Sequence, residues 1–113
     1  MTATPDQPLA VFITAPNREE AARLADLLVE RRLAACVQIL SPMESVYRWQ
    51  GKVERQAEVL LIAKTITAKF AELEREVRAA HSYETPEIVA VELTAISEPY
   101  RQWLNASVSE DCD

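Results

Sequence analysis

The 113-residue chain is 49 % hydrophobic and 27 % charged, the balance of one soluble globular domain long enough to bury a core. Its net charge of −6, with no cluster of Lys or Arg, argues against nucleic acid and against an anionic membrane surface as partners. The longest unbroken apolar run, Val59 to Ala63, is far too short to span a bilayer, and a single glycine excludes the glycine-rich phosphate loops.

Met1 to Gln7 has neither the basic stretch nor the apolar stretch of a signal peptide, so cytoplasmic residence is expected. Leu9 to Thr14 is an almost continuous apolar run, the pattern of a strand buried on both faces or central in its sheet. Asn17 suits a helix N-cap, and Glu20 three residues on completes a capping-box pattern. Ala21, Leu24, Ala25 and Leu28 then share one helical face, with Glu19 and Glu20 at the start and Arg31 and Arg32 at the end. A helix over about 18–32 is predicted.

Ala35 to Leu40 alternates as a strand, and Pro42 implies an edge position or a bulge. Val46 to Gln50 resumes it, with Tyr47 and Trp49 on one face. Gln50-Gly51 is the natural hairpin turn into a long strand from Val53 to Thr65. Thr67 can cap a second helix whose apolar face is Phe70, Leu73, Val77 and Ala80. Ile88 to Leu93 is a fourth strand. Ser97 caps a short third helix with Pro99 in its first turn and Tyr100, Trp103 and Leu104 on its apolar side. Val108 to Asp113 reads as an acidic tail. The order is β-α-β-β-α-β with an added C-terminal helix, an α+β, ferredoxin-like sandwich in one domain with its core at about 9–107 and flexible tails at 1–7 and 108–113. Two helices cover one sheet face. The strand at Ile88 is apolar on both faces, so the other face is expected to be covered by association.

The chemistry-bearing residues gather in one place. His81-Ser-Tyr83-Glu84-Thr-Pro86-Glu87 holds the only histidine, a phenol and two carboxylates between the second helix and the fourth strand. Histidine titrates near neutrality and is the commonest metal ligand, so metal or proton chemistry would sit here. A cap on the helix end is the structural alternative. Glu84 and Glu87 are either solvated or paired, or an acid and base if their environments differ. Lys64 ends an apolar strand, with its amine reaching solvent, a carboxylate or a ligand anion. Cys36 is a small buried hydrophobe or a ligand, and the two cysteines form no CxxC motif. Tyr47, Trp49, Tyr83 and Trp103 read as packing at subunit contacts rather than as a base-stacking platform.

Several motifs occur together in order. They are Thr14-Ala15-Pro16, Leu33-Ala34-Ala35-Cys36-Val37, Ser45-x-Tyr47-x-Trp49-x-Gly51-Lys52, Glu58 through Lys64-Thr65, His81-x-Tyr83-Glu84-x-Pro86-Glu87-Ile88 and Tyr100-x-x-Trp103. This set resembles the CutA family of divalent-cation tolerance proteins over about residues 9 to 107. The resemblance implies a homotrimer similar to the P-II signalling proteins, a role in divalent-cation tolerance with copper binding, and no enzymatic activity. It implies a ligand cleft between subunits lined by Trp49, Lys64, His81, Tyr83 and Glu87. Metal ligands would come from His81, Cys36 and Glu84, holding Cu(II) or another divalent cation weakly. Two departures bear on copper. Ile13 stands where some relatives carry a cysteine, and Ala80 stands where some carry a second histidine. Soft thiolate and imidazole donors are what favour copper. A small-metabolite sensor of the P-II kind, a purely structural trimer, and an enzyme using His81 and Glu87 as acid and base are the alternatives.

Overall fold

The apolar runs assemble into one antiparallel sheet carrying helices on both faces. The computed structural model describes residues 4–109. Its elements are β1 (Pro8–Ala15), α1 (Arg18–Glu30), β2 (Cys36–Trp49), β3 (Lys52–Ile66), α2 (Thr67–Ala80), β4 (Ile88–Glu92) and α3 (Glu98–Ser107). The strands lie in the order β2-β3-β1-β4 and every pair is antiparallel. β1 is therefore internal, as its continuous apolar run predicts; only Phe12 along it is not buried.

The registers sort the side chains onto two faces. Val11, Ile13, Val59, Leu61 and Ala63 pack against Ala21, Leu24 and Leu28 of α1 and Leu73 and Val77 of α2, and this is the main core. Phe70 joins it half-buried, while Ala80, expected on the same stripe, is exposed. The opposite face carries Phe12, Leu40, Leu60, Ile62, Val89 and Val91. α3 covers one end of it, packing Leu104 and Val108 against Ala35, Ile66 and Tyr100. Val108, expected at the start of a tail, is thus a core residue, and residues 110–113 with Cys112 lie outside the described residues. The rest of that face is uncovered: Leu40, Val89 and Val91 are 46 %, 52 % and 45 % exposed.

Element ends depart from expectation where distant partners intervene. α1 stops at Glu30 because Arg32 turns left-handed at φ 57°, letting the N–H groups of Leu33 and Ala34 both reach the Leu28 carbonyl. With no glycine at hand, the arginine itself adopts a conformation costing about 1–2 kcal/mol. Thr67 does not cap α2. Ile66 is the N-cap, and the Thr67 N–H and hydroxyl both donate to the Gln7 carbonyl at 3.0 and 3.3 Å, which ties down a segment expected to be a tail. The edge position or bulge that Pro42 implies is found, although β2 continues past it. The strand runs through a register shift between Leu40 and Met43, and its edge position leaves the missing N–H without a ladder partner to lose. β2 and β3 meet at a two-residue turn in which Gln50 and Gly51 take φ of 50° and 81°.

Candidate functional site

His81 follows α2 as its C-cap, and its backbone turns extended at once. That turn drives the ring inward, where the side chain is 0 % exposed. Tyr83 N–H donates to Nδ1 at 3.0 Å, so Nδ1 carries the lone pair and Nε2 carries the hydrogen. Nε2–H in turn donates to the Thr14 carbonyl at 2.7 Å. Glu20 closes the group. Its carboxylate accepts from Ser82 N–H at 2.8 Å and lies 3.3 Å from Nδ1. The Asn17 half of the expected capping box forms, with Oδ1 accepting from Glu20 N–H at 2.8 Å. The Glu20 carboxylate instead points at the 81–83 segment and is 4 % exposed. Burial pushes its pKa up, but the Ser82 hydrogen bonds, with the Arg23 charge, outweigh burial and hold it below the ordinary glutamate value.

In front of this group lies a cleft of about 620 Å³ between the β2–β3 hairpin and the 82–87 segment. Thr14 forms part of its floor, with Tyr47, Trp49 and Glu58 from the hairpin and Tyr83, Glu84 and Glu87 from the segment. Tyr83 spans it, donating its phenol hydrogen to Glu58 Oε2 at 2.8 Å. Burial, and then the Glu58 contact, push the Tyr83 phenol well above its ordinary value, so it stays a donor and Glu58 stays its acceptor. Tyr47 is held by a 2.6 Å hydrogen bond to Gln56 Oε1. The lining has three carboxylates and no Lys, Arg or His.

Of the residues singled out from the sequence, Trp49, Tyr83, Glu84 and Glu87 come together around this cleft. His81 lies behind it, with both ring nitrogens engaged. Lys64 and Cys36 are elsewhere. They pair across β3 and β2, and Lys64 is six residues along β3 from Glu58, roughly 20 Å at strand rise. Lys64 Nζ donates to Gln38 Oε1 at 3.2 Å and sits 5.9 Å from the centre of the Tyr100 ring. Cys36 Sγ is 3.6 Å from the Tyr100 hydroxyl, whose pKa burial and this contact raise to about 12. Two carboxylates bonded to the 81–83 segment were not singled out as site residues from the sequence. Glu20 sits one turn before Leu24 on the apolar stripe of α1, and Glu58 shares a strand face with Leu60 and Ile62. A carboxylate in an apolar pattern was the signal in both cases.

The donor set does not fit a copper centre within one subunit. No group of three or more His, Cys, Asp or Glu side chains is arranged to hold a metal ion among the described residues. The imidazole is committed to Thr14 and Tyr83, and the thiol is at the other end of the sheet.

Comparison with known proteins supplies the kinship. The family model for the CutA1 divalent ion tolerance protein matches residues 9–107. The divalent-cation tolerance protein CutA of Thermus thermophilus is 47 % identical over 94 residues, covering 83 % of this chain and 91 % of that protein. The chloroplastic CutA protein of Arabidopsis thaliana is 43 % identical over 99 residues, 88 % of this chain; this chain spans only 54 % of its length, and 62 % of the rice counterpart. The crystal structure of CutA1 from Oryza sativa superposes with a TM-score of 0.89 at 40 % identity, covering 92 % of this chain and 95 % of that one. No helix among the described residues is long and apolar enough to cross a membrane. The extent of the family match, its identity and the shared α+β fold agree: the chain belongs to the CutA1 divalent ion tolerance family.

Proposed function

We propose that the protein works as a homotrimer of ferredoxin-like subunits that contributes to divalent-cation tolerance by binding a small ligand in the cleft beside His81, at a boundary between subunits. The observation that carries this reading is the uncovered sheet face, where Leu40, Val89 and Val91 stand in solvent in a single subunit. The hairpin supports it, since Tyr47 and Trp49 are exposed aromatics at the cleft rim. His81 serves this site as a strut: it holds Tyr83 against Thr14, and Tyr83 positions Glu58. The His81/Glu87 acid–base reading is unfavoured because neither ring nitrogen is left to face a substrate. A nucleotide, as a P-II-like sensor would take, meets three carboxylates in this cleft and no cation.

Copper is the finer claim, and the soft donors needed to select it are not gathered in the subunit. Glu58, Glu84 and Glu87 line the cleft but are not gathered as ligands of a single ion within the subunit. Two measurements test the reading. Light scattering at micromolar concentration should give three times 12.7 kDa, and a monodisperse monomer sinks the assembly. Thermal shift across metals and metabolites should find one stabilising ligand class, lost in Tyr83→Phe. A null result across both leaves only a structural trimer.

A further inference from the structure

The group behind the cleft has a second arrangement built into it. In the neutral ring of His81, Nδ1 accepts from Tyr83 N–H at 3.0 Å, and Nε2–H donates to the Thr14 carbonyl at 2.7 Å. Glu20 Oε2 lies 3.3 Å from the same Nδ1. A lone pair and a carboxylate oxygen thus face each other with no hydrogen between them. Two acceptors so placed repel, and a proton on Nδ1 turns the repulsion into a charge-assisted hydrogen bond. The exchange displaces a partner. Nδ1–H cannot accept from Tyr83 N–H, so two donors then oppose each other. Nδ1 has one position and two rival partners, a backbone donor when bare and a carboxylate when protonated. The Thr14 bond serves both states, since Nε2 carries hydrogen in each. With Nδ1 taken and Nε2 protonated, the ring offers a metal ion no lone pair, and a proton is the species that changes its partners.

Glu20, from α1, brings the anion to the ring, and Arg23 beside it helps to keep that carboxylate ionised. β1 presents the Thr14 carbonyl. α2 ends at the ring, its Val77 carbonyl taken by His81 N–H at 2.9 Å, and Arg78 of its last turn lies 3.4 Å from Glu74. Behind Tyr83 stands Glu58 of β3, which accepts the phenol hydrogen. The His81 and Glu20 side chains are 0 % and 5 % exposed, so the pair is set inside one subunit, whatever covers the cleft rim.

We propose that His81 is a proton-operated latch on the 82–87 wall of the cleft. Solvent delivers a proton to Nδ1, the imidazolium pairs with Glu20, and Tyr83 N–H is released. Tyr83 moves with its backbone, so its phenol leaves Glu58 and the cleft changes shape. This goes beyond ligand binding and stands whichever ligand the cleft takes.

The single histidine makes the test direct. The nitrogen-15 labelled full chain is titrated from about pH 8 to about pH 5 while ring and backbone nitrogens are followed by magnetic resonance. At the upper end the ring should be the neutral Nε2–H form. The Nδ1 signal and the Tyr83 amide should then shift with one shared midpoint. Protection of the Tyr83 amide against hydrogen exchange, corrected for pH, should fall about tenfold, the loss of one hydrogen bond. Glu20→Gln keeps an acceptor for Ser82 N–H and should lower the midpoint by about one pH unit. Arg23→Gln, at an exposed position, should raise it, which keeps the test open if Glu20→Gln misfolds. A ring that stays neutral throughout overturns the latch. So does a ring that protonates while the Tyr83 amide keeps its shift and protection. A midpoint unmoved by either substitution removes Glu20 as the second partner and overturns it as well.

Discussion

The imidazole of His81 joins the end of β1, through Thr14, to its own loop, through Tyr83, and Glu20 of the first turn of α1 ties to the same loop through Ser82 N–H. His81→Ala removes the partners of the Thr14 carbonyl and the Tyr83 N–H together and leaves a cavity. Each orphaned group costs about 1–3 kcal/mol, so a loss of roughly 3 kcal/mol is expected in urea unfolding at fixed protein concentration. A midpoint within error of the parent would show that the ring is not a strut. Glu20 makes a pH prediction. Its folded pKa is lowered, so its contribution is present above the ordinary glutamate value of about 4.3 and is lost as pH falls through the lower folded value. Glu20→Gln should therefore cost about 1–2 kcal/mol at pH 7, and the gap from the parent should narrow towards pH 3. Unfolding midpoints at the two pH values decide it, and a gap that widened in acid would be the wrong sign. The sequence pointed to the right segment here but not to the right roles. His81 stood out because it is unique, and uniqueness suggests a ligand. Its inward turn depends on Thr14, 67 residues away, which no local pattern encodes. Glu20 and Glu58 were hidden for the opposite reason, since each had an ordinary local explanation, a cap or a motif flank.

Helix and strand periods follow local patterning, whereas helix ends answer to whichever partner arrives. Both caps assigned from sequence to α1 and α3 form, but not equally: Asn17 Oδ1 accepts at 2.8 Å, while Ser97 Oγ accepts from Tyr100 N–H at 3.4 Å. Cap removal costs about 1 kcal/mol on average. Asn17→Ala should reach or exceed that figure, and Ser97→Ala should fall below it, in parallel urea titrations. Equal losses would mean that hydrogen-bond length does not grade these caps. The third assignment failed because the Gln7 carbonyl supplies what Thr67 would have supplied, and a free carbonyl outside the helix cannot be read from the helix. The same logic explains Pro42. A proline is disruptive where a ladder bond is lost, and whether one is lost depends on which strand lies at the edge.

At the scale of the molecule, the sheet has one face closed by α1 and α2 and another closed only at one end by α3. The apolar pattern of β4 foretold the open face; that α3 would take part of it was not legible, since α3 packs there on Ala35, just before β2, Ile66 at the end of β3 and Ile96. What remains open is a contiguous row set by register, Leu40 beside Leu60 and Val89 beside Phe12 and Ile62. If a second and third copy cover this row, its valines are exposed in the subunit and buried in the assembly, and each would contribute about 1.5–3 kcal/mol there. Val89→Lys with Val91→Lys spares the subunit core, because neither side chain belongs to it, but places two ammonium groups in the contact. Light scattering should then fall from the trimer mass to 12.7 kDa, with far-UV circular dichroism unchanged. Val29→Lys is the matched control: at 43 % exposure it lies on α1, outside the open sheet face, and should leave the mass at the trimer value. A trimer that survives the double substitution would move the contact off this face, and the hairpin, with Trp49 and Val53 at 58 % and 65 % exposure, would then be the surface to alter.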